Sequence, residues 1–477
     1  MMRPSSSHSD PPSGDSPASA GRGLFDGVLS AGPVHDAVGD IAWLRAMLDA
    51  EAALARAQAR LGLIPPAAAV AITNACRASG FDPAALARDA VSAGNPVVPL
   101  VRALRAGLPP DLARFAHAGA TSQDIIDSAA MLVAHRATGP LRADLASTAD
   151  RAATLAAAHR DTPIAGRTLL QQALPTTFGL IAAGWATALD AAGARLARVR
   201  HGTLAAQLGG ATGTLAAIDD LAAPGAGAAR RGGPPAAGDG RIGPELISAF
   251  ADELGLNEPV LPWHTDRGRI AELAGVLAGA AGTVAKIARD VVLLAQTEIG
   301  EVREGGGRGG SSTMPHKANP IAAISAAASA ARAPGLAATL FAAMPHEHQR
   351  AAGAWHAEWL PLTDLLRATG SAAHWLRDCL THLEIDPVRM RANLNLTGGA
   401  LLAERVAGAL APTIGRDAAH DLVADVVRAG RPLAGDPRVT AHLDPDTVTA
   451  LLDPAAYLGS AGPLVDRALA AHPKGDA

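Results

Sequence analysis

The run Gly309-Gly310-Ser311-Ser312-Thr313-Met314-Pro315-His316-Lys317-Ala318-Asn319-Pro320 concentrates more reactive residue types than any other part of the chain. Glycines let a backbone close over a ligand and turn its N–H groups toward an anion. Two hydroxyls, a cation and an amide follow them. A serine hydroxyl is a poor base unless its alkoxide is stabilised, and loop N–H groups with a nearby ammonium supply that stabilisation. The sequence holds three lysines, Lys286, Lys317 and Lys474, so a lysine two residues before Asn319 stands out. Gly305–Gly310 alone would read as a flexible linker, but the Met-Pro-His-Lys-Ala-Asn-Pro tail does not. A Walker phosphate loop needs Gly-Lys-Ser/Thr opening a helix, which is absent.

Two further stretches carry polar groups at close spacing. In Gly119-Ala120-Thr121-Ser122-Gln123-Asp124-Ile125-Ile126-Asp127 the hydroxyls of Thr121 and Ser122 can cap a helix that begins near Gln123. A helix N-terminus is also an anion site, so capping and ligand binding are compatible there. His117 lies just upstream. Arg167-Thr168-Leu169-Leu170-Gln171-Gln172-Ala173-Leu174-Pro175 offers Gln171 as a donor or acceptor. His346, Glu347, His348, His356 and Glu358 suggest a metal site. His346 and His348 are two apart, however, which on a helix places them on opposed faces, and the His-Glu-x-x-His spacing of zinc hydrolases is missing. No metal is expected.

Long helices must position these groups. Ile270, Leu273, Leu277, Val284, Ile287, Val291 and Leu294 recur at helical spacing in a proline-free stretch and predict a helix over about 267–300. Leu180, Trp185, Leu189, Leu196, Val199 and Leu204 predict a second, and Ile41, Leu44, Met47, Leu48, Leu54 and Leu61 a third from about Asp40. Strand patterns are nearly absent, so the fold class is all-α, an elongated long-helix bundle with smaller helical domains at both ends. The expected division is a disordered tail over 1–30, an N-terminal helical domain over 31–117, the central bundle over 118–366 and a C-terminal helical domain over 367–477. Residues 223–244 and 304–313, rich in Gly with Pro or Ser, read as loops, the first as an exposed insertion. An Ala-rich helix face buries little area, so pairing of bundles from several subunits is expected.

Composition sets the outer limits. The 477 residues are 49% hydrophobic and 18% charged with a net charge of −4, which offers nucleic acid no basic footprint. Cys76 and Cys379 are too few for a disulfide framework or a four-thiolate zinc site. No basic segment followed by an apolar one opens the chain, which reads as cytoplasmic. The uncharged stretch between Arg167 and Asp190 is long enough to cross a bilayer. Gln171, Gln172, Pro175, Thr176 and Thr177 make it a polar turn before a buried helix instead, so no membrane partner is expected.

Gly310-Ser311-Ser312-x-Met314-Pro315-x-Lys317-x-Asn319-Pro320 resembles the signature of the fumarase/aspartase superfamily. The stretches starting at Gly119 and Arg167 resemble its other two blocks in order and spacing. Within it, Leu169-Leu170-Gln171-Gln172, Pro262-Trp263-His264-Thr265-x-Arg267, His346-Glu347-His348-x-Arg350 and Trp355-His356-Ala357-Glu358-Trp359 look like the bacterial 3-carboxy-cis,cis-muconate cycloisomerase branch. The resemblance implies an enzyme of aromatic-compound catabolism, on the protocatechuate branch of the β-ketoadipate route, that closes a lactone on a tricarboxylate. It implies no cofactor, and a homotetramer whose sites combine residues from three subunits. Ser311 would exchange the proton alpha to a carboxylate, with Lys317 and His117 as its catalytic partners. Thr121, Ser122, Gln171, Arg267, Ser312, Met314, His316, Asn319 and Arg350 would bind substrate. One departure is mechanistic: Leu169 stands where many superfamily lyases carry the histidine that protonates the leaving group. Leucine transfers no proton, which favours lactonisation over an adenylosuccinate-type or other C–N lyase.

Overall fold

The computed structural model describes residues 23–222, 242–310 and 313–473. Ser311, Ser312, the chain up to residue 22 and most of the expected 223–244 insertion lie outside the described residues. The architecture is helical. The elements that matter for the site are α1 (Asp40–Arg60), α2 (Ser122–Ala158), the hairpin β1 (Pro163–Thr168) and β2 (Gln171–Thr177), α3 (Phe178–Gly202), α4 (Gly268–Leu294), β3 (Val302–Glu304), α5 (Ile321–Ala331), α6 (Ala333–Ala343), α7 (Ala354–Thr381) and β4 (Leu383–Ile385). α2 has 37 residues, about 55 Å at 1.5 Å per residue.

The bundle forms because α3, α4 and α7 each carry apolar side chains at three- and four-residue steps, and those stripes meet around α2, which is buried on all sides from Gln123 to Ala134. α2 lies along α3, and α7 packs on α2, α4, α5 and α6. Phe178 and Trp185 meet edge to face inside it, with ring centroids 5.7 Å apart. On α5 and α6 the buried positions are alanine or serine except for Leu340, and these small side chains let the helices approach their neighbours closely. By composition alone α4 and the Ile321–Ala343 stretch are long and apolar enough to cross a membrane. In α4, Ile270, Leu273, Leu277, Val284, Ile287 and Val291 are instead spent on the main core.

Several expectations shift. The predicted 267–300 helix ends at Leu294, because Gly300 adopts φ +62° and the chain turns to pair β3 antiparallel with β4. The uncharged stretch after Arg167 is an antiparallel hairpin, not a polar turn alone, and α3 follows it with the Thr177 hydroxyl accepting the Leu180 N–H at 3.1 Å. Among the described residues four short strands therefore accompany the helices. Residues 26–29, expected within the disordered tail, form a helical turn whose Val28 carbonyl accepts the Trp375 indole N–H at 2.7 Å. A separate small core gathers Val406, Leu410, Val423, Val426, Val439 and Val448. Residue 366, the expected domain boundary, lies inside α7. The last helix, Ala461–Ala471, returns to α2 and α3, where His472 bridges Asp150 and Asp190 at 3.0 and 2.8 Å.

The hairpin turn is unusual. Thr168 pairs with Gln171, which leaves Leu169 and Leu170 as a two-residue loop with φ +52° and +65°. Such turns favour Asn-Gly, and an L residue with a side chain loses about 1–2 kcal/mol in this region. Leu169 is nonetheless 98% exposed and Leu170 72% exposed. The sequence accepts strain in order to present two leucines at a tip.

Candidate active site

α2 starts at Ser122 with Thr121 as its N-cap, one residue earlier than expected. Asp124 completes a capping box, and its buried carboxylate gathers four donors. It accepts the N–H groups of Thr121 at 2.9 Å, Gly209 at 2.9 Å and Gly210 at 3.0 Å, and it meets His264 Nε2 at 2.7 Å. Arg350 donates to the Gly210 carbonyl at 2.5 Å. Its pKa is lowered by burial, against the opposing pull of Asp124 and Asp127. One carboxylate thus ties the first block to the glycine turn after α3 and to the Pro262–His264 stretch.

His117 sits at φ +59°, a conformation held by its neighbours. The Ala116 carbonyl accepts Arg105 Nη2 at 2.8 Å, and the Ala118 carbonyl accepts Gln58 Nε2 at 2.7 Å. Its Nδ1 lies 2.7 Å from Glu51, which is buried in the middle of α1. Burial pulls the imidazole pKa down, but the charge and hydrogen bond of Glu51, helped by Asp124, outweigh it and the net shift is upward. His117 and Ser122 line a cavity of about 370 Å³ with one face of the helix Val97–Ala106.

The sign of that shift gives a test. A histidine whose folded pKa is raised adds stability that is fully present below its unfolded value and is lost as pH rises through the folded one. Glu51→Gln therefore costs about 1–3 kcal/mol at pH 6 and clearly less at pH 9. Urea unfolding of both proteins at the two pH values measures it. Equal losses would place the Glu51 contribution outside the His117 charge.

Arg267 lies in the core. It is 2% exposed, its guanidinium is 5.0 Å from the Trp263 ring centroid, and it points at two carboxylates of its own chain. Nε and Nη2 donate to Glu358 at 3.0 and 2.6 Å, and Nη1 and Nη2 donate to Asp127 at 2.8 and 3.0 Å. Trp355 Nε1 adds a bond to Asp127 at 3.1 Å, and His346 Nε2 stands 3.3 Å from Glu358. The guanidinium fork of Arg267 thus joins Asp127 on α2 to Glu358 on α7. The segment 346–350 is a loop, not the helix assumed in weighing a metal. Among the described residues no cluster of three His, Cys, Asp or Glu side chains is arranged to hold a metal ion.

The signature loop is tied at both ends. The Glu304 carboxylate accepts the Ala322 and Ala323 N–H groups at 2.8 and 3.1 Å, capping α5, and Gly305 N–H donates to the His382 carbonyl at 2.9 Å. Further in, Gly310 bridges Ala318, and the Gly309 carbonyl accepts both the backbone N–H and the side-chain amide of Asn319, at 3.0 and 2.9 Å. Gly309 is required here: at φ +81° a Cβ would stand 2.1 Å from the Asn319 carbonyl oxygen. The Asn319 amide thus closes the loop. Met314, His316 and Lys317 lie on its exposed side, and His316, Lys317 and Asn319 line a cavity of about 850 Å³ bounded by Gln296, Arg303, Glu384 and Asp386.

Gln171 is exposed beside the hairpin turn, while Gln172 donates to the Asn393 carbonyl at 2.9 Å. Arg167 fixes the hairpin with a two-pronged ion pair to buried Glu301, at 2.9 and 2.8 Å. Within one chain, then, the predicted residues fall into two groups. The His117 and Lys317 cavities share no lining residue. Reading the sequence missed Glu51, Asp124, Glu301 and Glu304, the carboxylates that hold these segments. Only Asp124 carried a signal, as the residue three after a capping threonine.

Comparison with known proteins finds relatives over most of the chain. The profile of the lyase family matches residues 33–221 and 228–335. The chain is 46% identical to 3-carboxy-cis,cis-muconate cycloisomerase of Pseudomonas aeruginosa, over 94% of this chain and 96% of that protein. It is also 46% identical to nitrosuccinate lyase of Streptomyces davaonensis, over 94% of each chain. The crystal structure of the 3-carboxy-cis,cis-muconate lactonizing enzyme from Pseudomonas putida superposes with a TM-score of 0.85 at 41% identity, covering 94% of this chain and 98% of that one.

Proposed function

The chain belongs to the lyase family of the fumarase/aspartase superfamily, and we infer from this that it is a cycloisomerase that lactonises 3-carboxy-cis,cis-muconate. The observation that carries the reading is likeness over nearly the whole length, in sequence and in fold, to enzymes of that activity. In this reaction one substrate carboxylate adds across a conjugated double bond. A C–O bond forms, and a proton is delivered to the carbon alpha to another carboxylate. Ser311 is assigned that proton. Lys317, His316, Thr121, Ser122 and Arg350 are assigned to the carboxylates, with Ser312, Met314 and Gln171 shaping the pocket and His117 as the alternative donor of the same proton. Asn319 acts through the loop it closes.

The expected histidine position fits lactonisation. Leu169 is at a hairpin tip and carries no proton, and ring closure releases no leaving group that needs one. The specific support for a second reading is the equal identity to a nitrosuccinate lyase, so a C–N lyase is the competitor. An ultraviolet assay with 3-carboxy-cis,cis-muconate, run beside nitrosuccinate and adenylosuccinate, separates them. Loss of diene absorbance with carboxymuconolactone formed supports the cycloisomerase. Consumption of a C–N substrate alone removes it.

A homotetramer in the cytoplasm is proposed with the same reading. The exposed leucines at the strained tip, and the separation of His117 from Lys317 within one chain, both suit a site completed by other copies. Light scattering is expected to give a mass of about four chains of 47.9 kDa; a single-chain mass rejects the assembly. Hydrogen exchange at Gly305–Gly310 is expected to slow when a tricarboxylate binds, since loops of this kind order on ligand. Equal exchange with and without ligand contradicts the loop's role.

A further inference from the structure

We propose that Arg102 binds one carboxylate of the substrate in the cavity shared with His117 and Ser122. The inference rests on the tricarboxylate reading above and adds a residue that no sequence motif marks. Val97, Val98, Val101, Arg102 and Arg105 form one face of the helix Val97–Ala106, at steps of one, four, five and eight residues, and that face walls the cavity. Val97 and Val101 are buried and make its apolar floor. The polar lining is Arg102, Arg105, His117 and Ser122, with no acidic side chain among them. In a protein of net charge −4 this is a local excess of positive charge.

The other polar groups of the lining differ in how far they are already committed. Arg105 spends Nε and Nη2 on the Ala116 carbonyl, at 3.3 and 2.8 Å, and so fixes the backbone beside His117. His117 uses Nδ1 on Glu51. Ser122 opens α2, whose N-terminal dipole favours an anion. Arg102 is exposed and makes no hydrogen bond or ion pair among the described residues. A guanidinium is a planar fork that meets a carboxylate with two parallel N–H bonds. To the groups already assigned to the three carboxylates Arg102 adds a two-pronged donor in the cavity that Ser122 lines.

The test uses the full-length enzyme and the variants Arg102→Gln and Arg102→Lys. The expected result for Arg102→Gln is a KM for 3-carboxy-cis,cis-muconate raised about 10- to 100-fold, with kcat changed far less and an unaltered melting temperature. Arg102→Lys recovers part of the loss. Calorimetric titration with tricarballylate, a non-reacting tricarboxylate, reads the same contact without turnover, and its affinity falls by a similar factor. Unchanged KM and tricarballylate affinity in Arg102→Gln overturn the proposal. If the wild-type enzyme turns over no carboxymuconate, the function reading fails, and the calorimetric comparison still decides whether Arg102 holds a carboxylate.

Discussion

Ser311→Ala removes the hydroxyl proposed to deliver the proton and is expected to lower kcat by at least about a thousandfold, in the upper range for loss of a general acid or base, with the melting temperature unchanged. Both halves of that result follow from the loop. The folded segment depends on contacts made on either side of Ser311: the Glu304 cap of α5, the two bonds from Asn319 to the Gly309 carbonyl and the Gly310–Ala318 bridge. None of these uses the Ser311 hydroxyl. Single-turnover ultraviolet kinetics, which isolate chemistry from release of product, measure the first half, and thermal unfolding measures the second. A variant that retains near-normal single-turnover rates passes the proton role to another acid, for which His117 is the candidate.

The distinction between what chemistry requires and what the fold requires also explains which features were legible in the sequence. α1, α3 and α4 were visible because each repeats apolar residues at helical spacing over many turns, and the bundle class follows from them; of α2 only the capped start was, because it is buried on all sides from Gln123 to Ala134 and shows no apolar stripe there. The hairpin was not, because Leu169 and Leu170 occupy a turn that sequence rules reserve for Asn and Gly. The signature loop was legible since its residue types are unusual together. Its internal economy was hidden: nothing in the spacing shows that the Asn319 amide is consumed by Gly309 while Lys317 stays exposed. Glu51 reaches His117 across 66 residues of chain, so only tertiary structure could connect them. Nothing in the spacing joins Arg267 to Asp127 and Glu358 either, two carboxylates distant in sequence that its guanidinium meets in the core.

Arg267 therefore carries the largest expected effect on stability. Its guanidinium bridges two carboxylates in the buried core, with Asp127 also bonded to Gln123 and Trp355. Breaking a buried pair by removing one partner typically costs about 3–5 kcal/mol, because the remaining charge is left uncompensated. Arg267→Met keeps most of the side-chain volume and removes the charge, so its loss of stability belongs at the upper end of that range at neutral pH. The pH dependence identifies the cause. In the native protein burial already raises the Glu358 pKa, and the hydrogen bonds and charge of Arg267 oppose that rise. Without Arg267 the opposition disappears and the pKa climbs further. A carboxyl whose folded pKa exceeds its unfolded one is penalised as pH rises through the interval between the two, and the penalty vanishes below both. The stability difference between Arg267→Met and wild type should thus be several-fold smaller at pH 5 than at pH 8, as read from urea midpoints. A difference independent of pH would assign the loss to packing against Trp263. Because Asp127 lies on the first turns of α2 beside Thr121 and Ser122, a weakened network also loosens the helix start that lines the His117 cavity and is proposed to hold substrate. The Arg267→Met variant should then show a raised KM even at low temperature, where the fold remains intact.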